Sequence, residues 1–351
     1  MPRNSPHRGT SSRKQQHVHT VLTQDVAFRA KTNGLEGWEF VHNALPELDF
    51  SEIDPSTTFL GRRLDLPFMV SCMTGGYAEA LRINRSLAEL CAARGMAMGV
   101  GSQRQTLEDT RFRRSFSVVR EVAPEIPVVG NIGAAEVAMM KGPAPALSLV
   151  ALVRADALAV HLNPVQELLQ PEGTPAFRGV LKGIAMLVRE LPVPIIVKEI
   201  GAGISTDVAR RLLDAGVHYI DVAGAGGTSW AGVEILRRRN RRAAVRFWDW
   251  GIPTADAVRE MATLKHTHPS LHITASGGIG TGLDAAKCFA LGADLVASAR
   301  PVLQALARGG AAGARRFLDA WVFELKSAMF LTGARRLTDL QSVPLRRTQR
   351  P

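Results

Sequence analysis

Eight short apolar runs set the limits on what this chain can fold into. They occupy residues 68–71, 97–101, 127–131, 157–161, 194–198, 219–223, 271–276 and 294–298. Short, nearly continuous apolar runs suit parallel strands buried on both faces. Amphipathic stretches lie between them, for example 80–94, 177–190 and 207–215, and Gly95 and Gly216 stand where helices end. Eight strands alternating with helices predict an α/β protein of the closed (β/α)8 TIM-barrel type; an open doubly wound sheet is the alternative. At 351 residues the whole chain is long enough for one such barrel. The spacing breaks once, between the sixth and seventh runs, where residues 224–270 hold an arginine cluster, Trp248, Trp250 and Pro253. This reads as a long sixth loop plus its helix. The units share no residue pattern, which excludes a solenoid repeat.

The net charge of +11 invites a nucleic-acid reading, but its distribution argues against one. Residues 1–20 carry Arg3, Arg8, Arg13 and Lys14 without an acid, and residues 335–351 carry five arginines against Asp339 alone. Charged ends of this kind are usually solvated tails. Residues 1–12 are therefore expected to be a disordered basic tail, 13–340 a single barrel domain with an N-terminal substrate-binding extension, and 341–351 a basic C-terminal tail. Arg237, Arg238, Arg239, Arg241 and Arg242 form a third cluster, expected in one surface segment. Aromatic residues interleaved for base stacking are missing, so no nucleic-acid partner is expected. Cys72, Cys91 and Cys288 lack metal-ligand spacing and suit a reducing compartment. With no apolar leader at the start and no run of membrane-spanning length, the expectation is a soluble cytoplasmic protein.

In a (β/α)8 barrel the site lies at the carboxyl ends of the strands. Here every run ends in glycine or polar residues. The seventh and eighth ends are the most interpretable. Gly277, Gly278 and Gly280 with Thr281 precede a helical stretch, and Ser298 and Ala299 follow the last run. Glycines allow close backbone approach to a phosphate, and loops after strands seven and eight form the usual phosphate cradle of this fold. Lys198 closes an apolar run, so its ammonium must face the barrel mouth. It either pairs with Glu199 or another strand-end acid, or faces the electron-rich edge of a flavin ring. Glu167, beside Gln166 and near His161 and Asn163, is a Mg²⁺ ligand or a first-turn helix acid. Arg13, Lys14 and Arg104 suit a diphosphate, although Arg104 could instead pair with Glu108. Trp248 and Trp250 read as packing, whereas Trp230 follows a Gly-Gly-Thr loop and could wall a prenyl chain.

These residues resemble the type 2, flavin-dependent isopentenyl diphosphate isomerases. The likeness is carried by Arg-Lys-x-x-His at 13–17, Met-Thr-Gly-Gly at 73–76, Gly-Ser-Gln-Arg at 101–104 and Asn-Ile-Gly at 131–133. It continues through His-Leu-Asn-x-x-Gln-Glu at 161–167, Val-Lys-Glu-x-Gly-x-Gly-Ile-Ser at 197–205, Gly-Gly-Thr-x-Trp at 226–230, Trp-Gly-Ile-Pro-Thr at 250–254 and Ala-Ser-Gly-Gly-Ile at 275–279. The resemblance implies that Met73, Thr74, Gly75, Ser102, Asn131, Lys198 and Thr228 contact FMN. Gly277, Gly278, Gly280, Ser298 and Ala299 would hold its phosphate. Arg13, Lys14, Ser102, Arg104, His161, Asn163, Gln166 and Trp230 would bind the substrate, and Glu167 would ligate Mg²⁺. Gly280 stands where an arginine commonly follows Gly-Gly-Ile, and Ala223 and Ser298 replace a serine and a glycine of the usual pattern.

The expected reaction is the 1,3-allylic isomerisation of isopentenyl diphosphate to dimethylallyl diphosphate, a step of isoprenoid biosynthesis. Among the matched residues Gln166 cannot ionise and Glu167 is assigned to metal, so His161 is the one side-chain acid–base candidate. Reduced FMN would then supply the acid–base chemistry, Lys198 would stabilise the reduced ring, and NADPH would serve only as reductant. A homo-oligomer, tetramer or octamer, is implied by the resemblance. The alternative is an FMN-dependent 2-hydroxy-acid oxidase or dehydrogenase. That class needs a histidine with a nearby arginine at a strand end, and the sixth end, Val-Ala-Gly-Ala-Gly-Gly-Thr-Ser-Trp, has neither.

Overall fold

Each expected run is a strand in the computed structural model, which describes residues 6–107 and 109–348. The strands are β1 (Phe68–Val70), β2 (Ala97–Gly99), β3 (Val128–Gly133), β4 (Ala157–His161), β5 (Ile195–Lys198), β6 (Tyr219–Asp221), β7 (His272–Ala275) and β8 (Leu295–Ser298). Neighbours pair in parallel in chain order, and β8 pairs back onto β1, closing the barrel. Helices Ala80–Ala93, Val180–Glu190 and Thr206–Asp214 pack outside it. Gly95 and Gly216 follow two of them with φ of 57° and 86°, the left-handed form of a helix C-terminus. The long sixth connection holds two helices, Trp230–Arg237 and Thr254–Ala262, with a 3-10 turn at Ala244–Phe247 between them.

The alternation of the strands decides which residues meet. Ile195 and Val197, Leu158 and Val160, and Phe68 and Val70 face outward into the layer between barrel and helices. Ile196, Ala157, Ala159, Val129, Met69 and Ala297 face inward and fill the barrel. Inward parity carried two residues further along β3 to β6 puts Asn131, His161, Lys198 and Asp221 at the barrel's upper mouth. The other mouth is closed by a hairpin of Thr57–Phe59 and Arg62–Leu64, whose Phe59 and Leu64 join the inward cluster. Leu60 and Gly61, at φ of 51° and 74°, make the turn that such a two-residue loop needs.

Both termini depart from expectation. Pro6–Thr23 is one helix, which takes in residues 6–12 of the expected basic tail; residues 1–5 lie outside the described part. Val21 packs with Val26 and Val233, and once this docking fixes the helix's inner turns, extending it outward costs little. At the other end Leu345–Arg347 is not a free tail but pairs antiparallel with Trp38–Phe40. Arg347 lies over the Trp38 ring at 5.0 Å, and Arg346 approaches Glu39 at 3.7 Å, which gives the basic segment an amphipathic surface to cover.

Candidate active site

A cavity of about 470 Å³ opens at the carboxyl ends of the strands, within the range of ordinary ligand sites. Its floor is the polar ring set by strand parity. Lys198 Nζ donates to the Glu199 carbonyl at 2.5 Å and lies 3.5 Å from Asp221 Oδ2, directly across the β5–β6 register. The alternatives drawn for Lys198 are thus both met in part, since it has an acid partner and also lines the cavity. Asp221 is fully buried, and its other oxygen accepts from the Ser276 hydroxyl at 2.5 Å. One register step away His161 Nδ1 meets Asn131 Oδ1 at 2.7 Å. Burial, with Lys198 and Lys14 adding repulsion, pushes the His161 imidazole down to about 3, so the ring is neutral near pH 7. Cys72 also lines the cavity, and burial raises its thiol, whereas Cys91 and Cys288 sit in the core.

The seventh and eighth strand ends form the glycine-built wall of the same cavity. Gly277 and Gly278 have φ of 103° and 74°, and a Cβ on either would lie 2.1 or 2.6 Å from the Gly224 or Gly226 carbonyl oxygen. Loops six and seven therefore touch backbone to backbone, which only glycine permits. Ser298 donates to the Ile279 carbonyl at 2.9 Å, so the hydroxyl that replaces the usual glycine ties the two loops together. These features fit a flavin mononucleotide. Backbone N–H groups of loops seven and eight would hold its phosphate, and the Lys198 ammonium, with donors to spare, would face the ring.

Cations crowd the outer end. The helix Pro6–Thr23 brings Arg13 and Lys14 over the cavity, and Lys14 Nζ donates to the Ser102 carbonyl at 2.5 Å. Burial, followed by the Arg13 and Arg104 guanidinium groups, pushes Lys14 down to about 7, and burial and Arg104 likewise depress Arg13. Arg104 pairs with Glu136 at 2.5 Å; Glu108, the alternative partner drawn from the sequence, lies outside the described residues. Such a cluster is costly without an anion. On the rim Glu167 accepts from Asn163 Nδ2 at 3.0 Å and from the Thr174 N–H at 2.8 Å, in the first turn of helix Pro164–Leu169. Among the described residues no group of three His, Cys, Asp or Glu side chains forms a metal cage. Glu167 suits a Mg²⁺ that arrives with a diphosphate, because that ion needs few protein ligands.

Most residues singled out in the sequence line this one cavity. Thr74 and Gly280 do not. The buried Thr74 hydroxyl bonds Asn84, and Gly280 faces open space, with no neighbour within 4 Å of where a Cβ would lie. Met73, Gly75, Thr228, Ala299 and Trp230 do line it. Trp248 is packing, its indole N–H bonded to the Ala27 carbonyl at 2.8 Å, while Trp250 is exposed beside Phe247. The arginine cluster is not wholly a surface feature. Arg237 turns inward onto Glu234 at 2.5 Å, and Arg238 bonds the Leu169 carbonyl. Glu234 itself escaped sequence reasoning. It is fully buried, 2.9 Å from His17 and 3.1 Å from Gln166 Nε2. Burial opposes its charge, yet bonds from His17, Gln166 and Arg237 hold its carboxyl below the usual range. A lone acid among Gly, Val and Ile was the available signal.

An isopentenyl-diphosphate delta-isomerase from Pelodictyon phaeoclathratiforme is 47% identical over 95% of this chain and 96% of that one. Another, from Pseudescherichia vulneris, is 46% identical over 95% and 96%. The chain belongs to the isopentenyl-diphosphate delta-isomerase family. A second match, to the family described as FMN-dependent dehydrogenase, covers residues 7–118 and 153–347 and marks it as a flavin-dependent isomerase. Among solved structures, a lactate oxidase from Pediococcus acidilactici superposes with a TM-score of 0.70 at 18% identity, covering 98% of this chain and 95% of that one. A mandelate oxidase variant gives 0.66 at 18% identity, covering 98% and 100%. At that identity the oxidases show the barrel fold alone.

Proposed function

We propose that this isomerase converts isopentenyl diphosphate to dimethylallyl diphosphate with reduced FMN and Mg²⁺, and that NADPH serves only to reduce the flavin. The observation that carries this reading is the cation cluster of Arg13, Lys14 and Arg104 over a cavity whose far wall is a glycine-built phosphate cradle. One phosphate pole suits FMN and the other a diphosphate substrate. Reduced FMN, when bound, supplies the acid–base group for an allylic shift that leaves no net redox change.

The chain's own residues do the rest. Arg13 and Arg104 grip the diphosphate with planar donors, and Lys14 regains its proton as the anion arrives. His161 and Asn163 add neutral hydrogen bonds. Glu167 holds Mg²⁺ against the diphosphate oxygens. Trp230, edge-on to His17 at 5.4 Å between ring centres, walls the prenyl chain and excludes water from the reacting carbons. Gln166 is held by Glu234 beside those carbons, and Lys198 stabilises negative charge on the ring. His161 as a proton donor is disfavoured by its depressed pKa. The three free cysteines suit a cytoplasmic setting. A tetramer or octamer is the proposed assembly, to be read by light scattering.

The test is a visible spectrum of the purified protein, then anaerobic turnover of isopentenyl diphosphate with Mg²⁺ and NADPH. Flavin absorbance with conversion that is lost in Glu167→Ala supports both reaction and metal role. Flavin without conversion would return the 2-hydroxy-acid oxidase alternative, and failure to bind added FMN would end the proposal.

A further inference from the structure

The strand-seven loop is held open from behind. Four successive carbonyls, those of Ser276, Gly277, Gly278 and Ile279, each accept a hydrogen bond from elsewhere in the fold. Gly224 N donates to Ser276 O at 2.8 Å, the Thr254 hydroxyl to Gly277 O at 2.6 Å, Asn33 Nδ2 to Gly278 O at 2.8 Å and Ser298 Oγ to Ile279 O at 2.9 Å. A peptide unit points its C=O and its N–H in opposite directions. Thr254 and Asn33, unlike Gly224 and Ser298, lie outside the cavity lining, so anchoring Gly277 O and Gly278 O turns the N–H groups of Gly278 and Ile279 the other way, and among the described residues those N–H groups have no partner in the protein.

Glycine peptides rotate at little cost, so a Gly-Gly turn does not by itself keep its donors aimed at one point. Something else must choose the orientation. Thr254 is fully buried on the helix of the sixth connection, and its single hydroxyl proton goes to its shortest contact, Gly277 O. Asn33 lies on the segment that crosses loop six after the N-terminal helix. Its Oδ1 accepts from the Leu35 N–H at 3.0 Å while its Nδ2 donates to Gly278 O, so both ends of the amide are fixed. Its backbone is seated where a Cβ on Gly226 would lie 2.0 Å from Asn33 N.

We propose that Asn33 and Thr254 are positioning residues for the cofactor phosphate: neither touches it, and together they lock the loop-seven peptides in their anion-binding orientation. This rests on the FMN reading of the cavity. The test uses the full chain freed of flavin, titrated separately with FMN and with riboflavin and followed by quenching of flavin fluorescence. Riboflavin carries the same ring without the phosphate. Asn33→Ala, Asn33→Asp and Thr254→Val should each weaken FMN about tenfold, the effect of one hydrogen bond, and leave riboflavin within about twofold. Equal weakening of both ligands, or no change in either, would overturn the proposal, because the two side chains would then only pack. Asn33 is half-buried, so its variants carry the test even where Thr254→Val does not fold. Wild-type protein that binds riboflavin as tightly as FMN would instead refute the cradle reading itself.

Discussion

Binding of the diphosphate should draw a proton from solution, and Lys14 is the reason. In the free protein its ammonium is pushed down to about 7 by burial first, then by Arg13 and Arg104. At pH 8 a group of that pKa is about one-tenth charged. An anion placed among the three cations reverses the balance and returns Lys14 toward its ordinary 10.5. Uptake should therefore be about 0.9 proton per site at pH 8 and about 0.5 at pH 7, and affinity should fall about tenfold per pH unit between pH 8 and 10. Oxidised holoenzyme, isopentenyl diphosphate and Mg²⁺ suffice, since the flavin is not reduced. Calorimetry in two buffers of different protonation enthalpy gives the proton count directly. Lys14→Met keeps the length and removes the titration, so its uptake at pH 8 should drop close to zero. Uptake under about 0.2 proton in the wild type, or equal uptake in Lys14→Met, would refute the reasoning.

Gly226→Ala would drive a Cβ to 2.0 Å from Asn33 N at a φ of 111°, so it should cost about 3 kcal/mol or more, read as a fall in the denaturation midpoint, and expose the 25–35 segment to protease. Gly280→Arg has open space and should be tolerated; if its guanidinium reaches the phosphate, FMN should bind about tenfold more tightly with riboflavin unaffected, and a drop in melting temperature would show that the space is not free. Burial pushes His272 down to about 4, so the unfolded chain takes up a proton near 6.5 that the folded one refuses until lower pH. Stability from this residue is therefore lost as pH falls from about 6.5 to 4, and His272→Phe should be less acid-sensitive than wild type by about 1.4 kcal/mol per pH unit over that range, measured by urea unfolding.

Much of this protein was legible in one dimension because a strand buried on both faces has to be apolar throughout, and a site at strand ends has to interrupt that pattern. The eight runs, and the polar residues that stop them, follow from local chemistry: Lys198 after Ile-Ile-Val and Asn131 after Val-Val-Gly announce themselves. Residues whose role depends on distant neighbours carry no such mark. Glu234 shows only as a lone acid in an apolar helix, and its role appears once His17, Gln166 and Arg237 surround it. Arg237 looks like one of five surface arginines, and Asn33 like a turn residue. Thr74 matched a motif, yet its hydroxyl faces Asn84. The basic ends were misread for the same reason, since charge and low hydrophobicity describe the exposed face of a docked element as well as a free tail. The sequence by itself determined the barrel and the rim of the site, because continuous apolar runs and glycine-rich strand ends are properties of neighbouring residues. Only the tertiary structure decided which cations share the anion site, which carboxylates are buried and which side chains lock the glycine loops, because those depend on closures between separate elements, from 23 positions apart for Thr254 and Gly277 to 245 for Asn33 and Gly278.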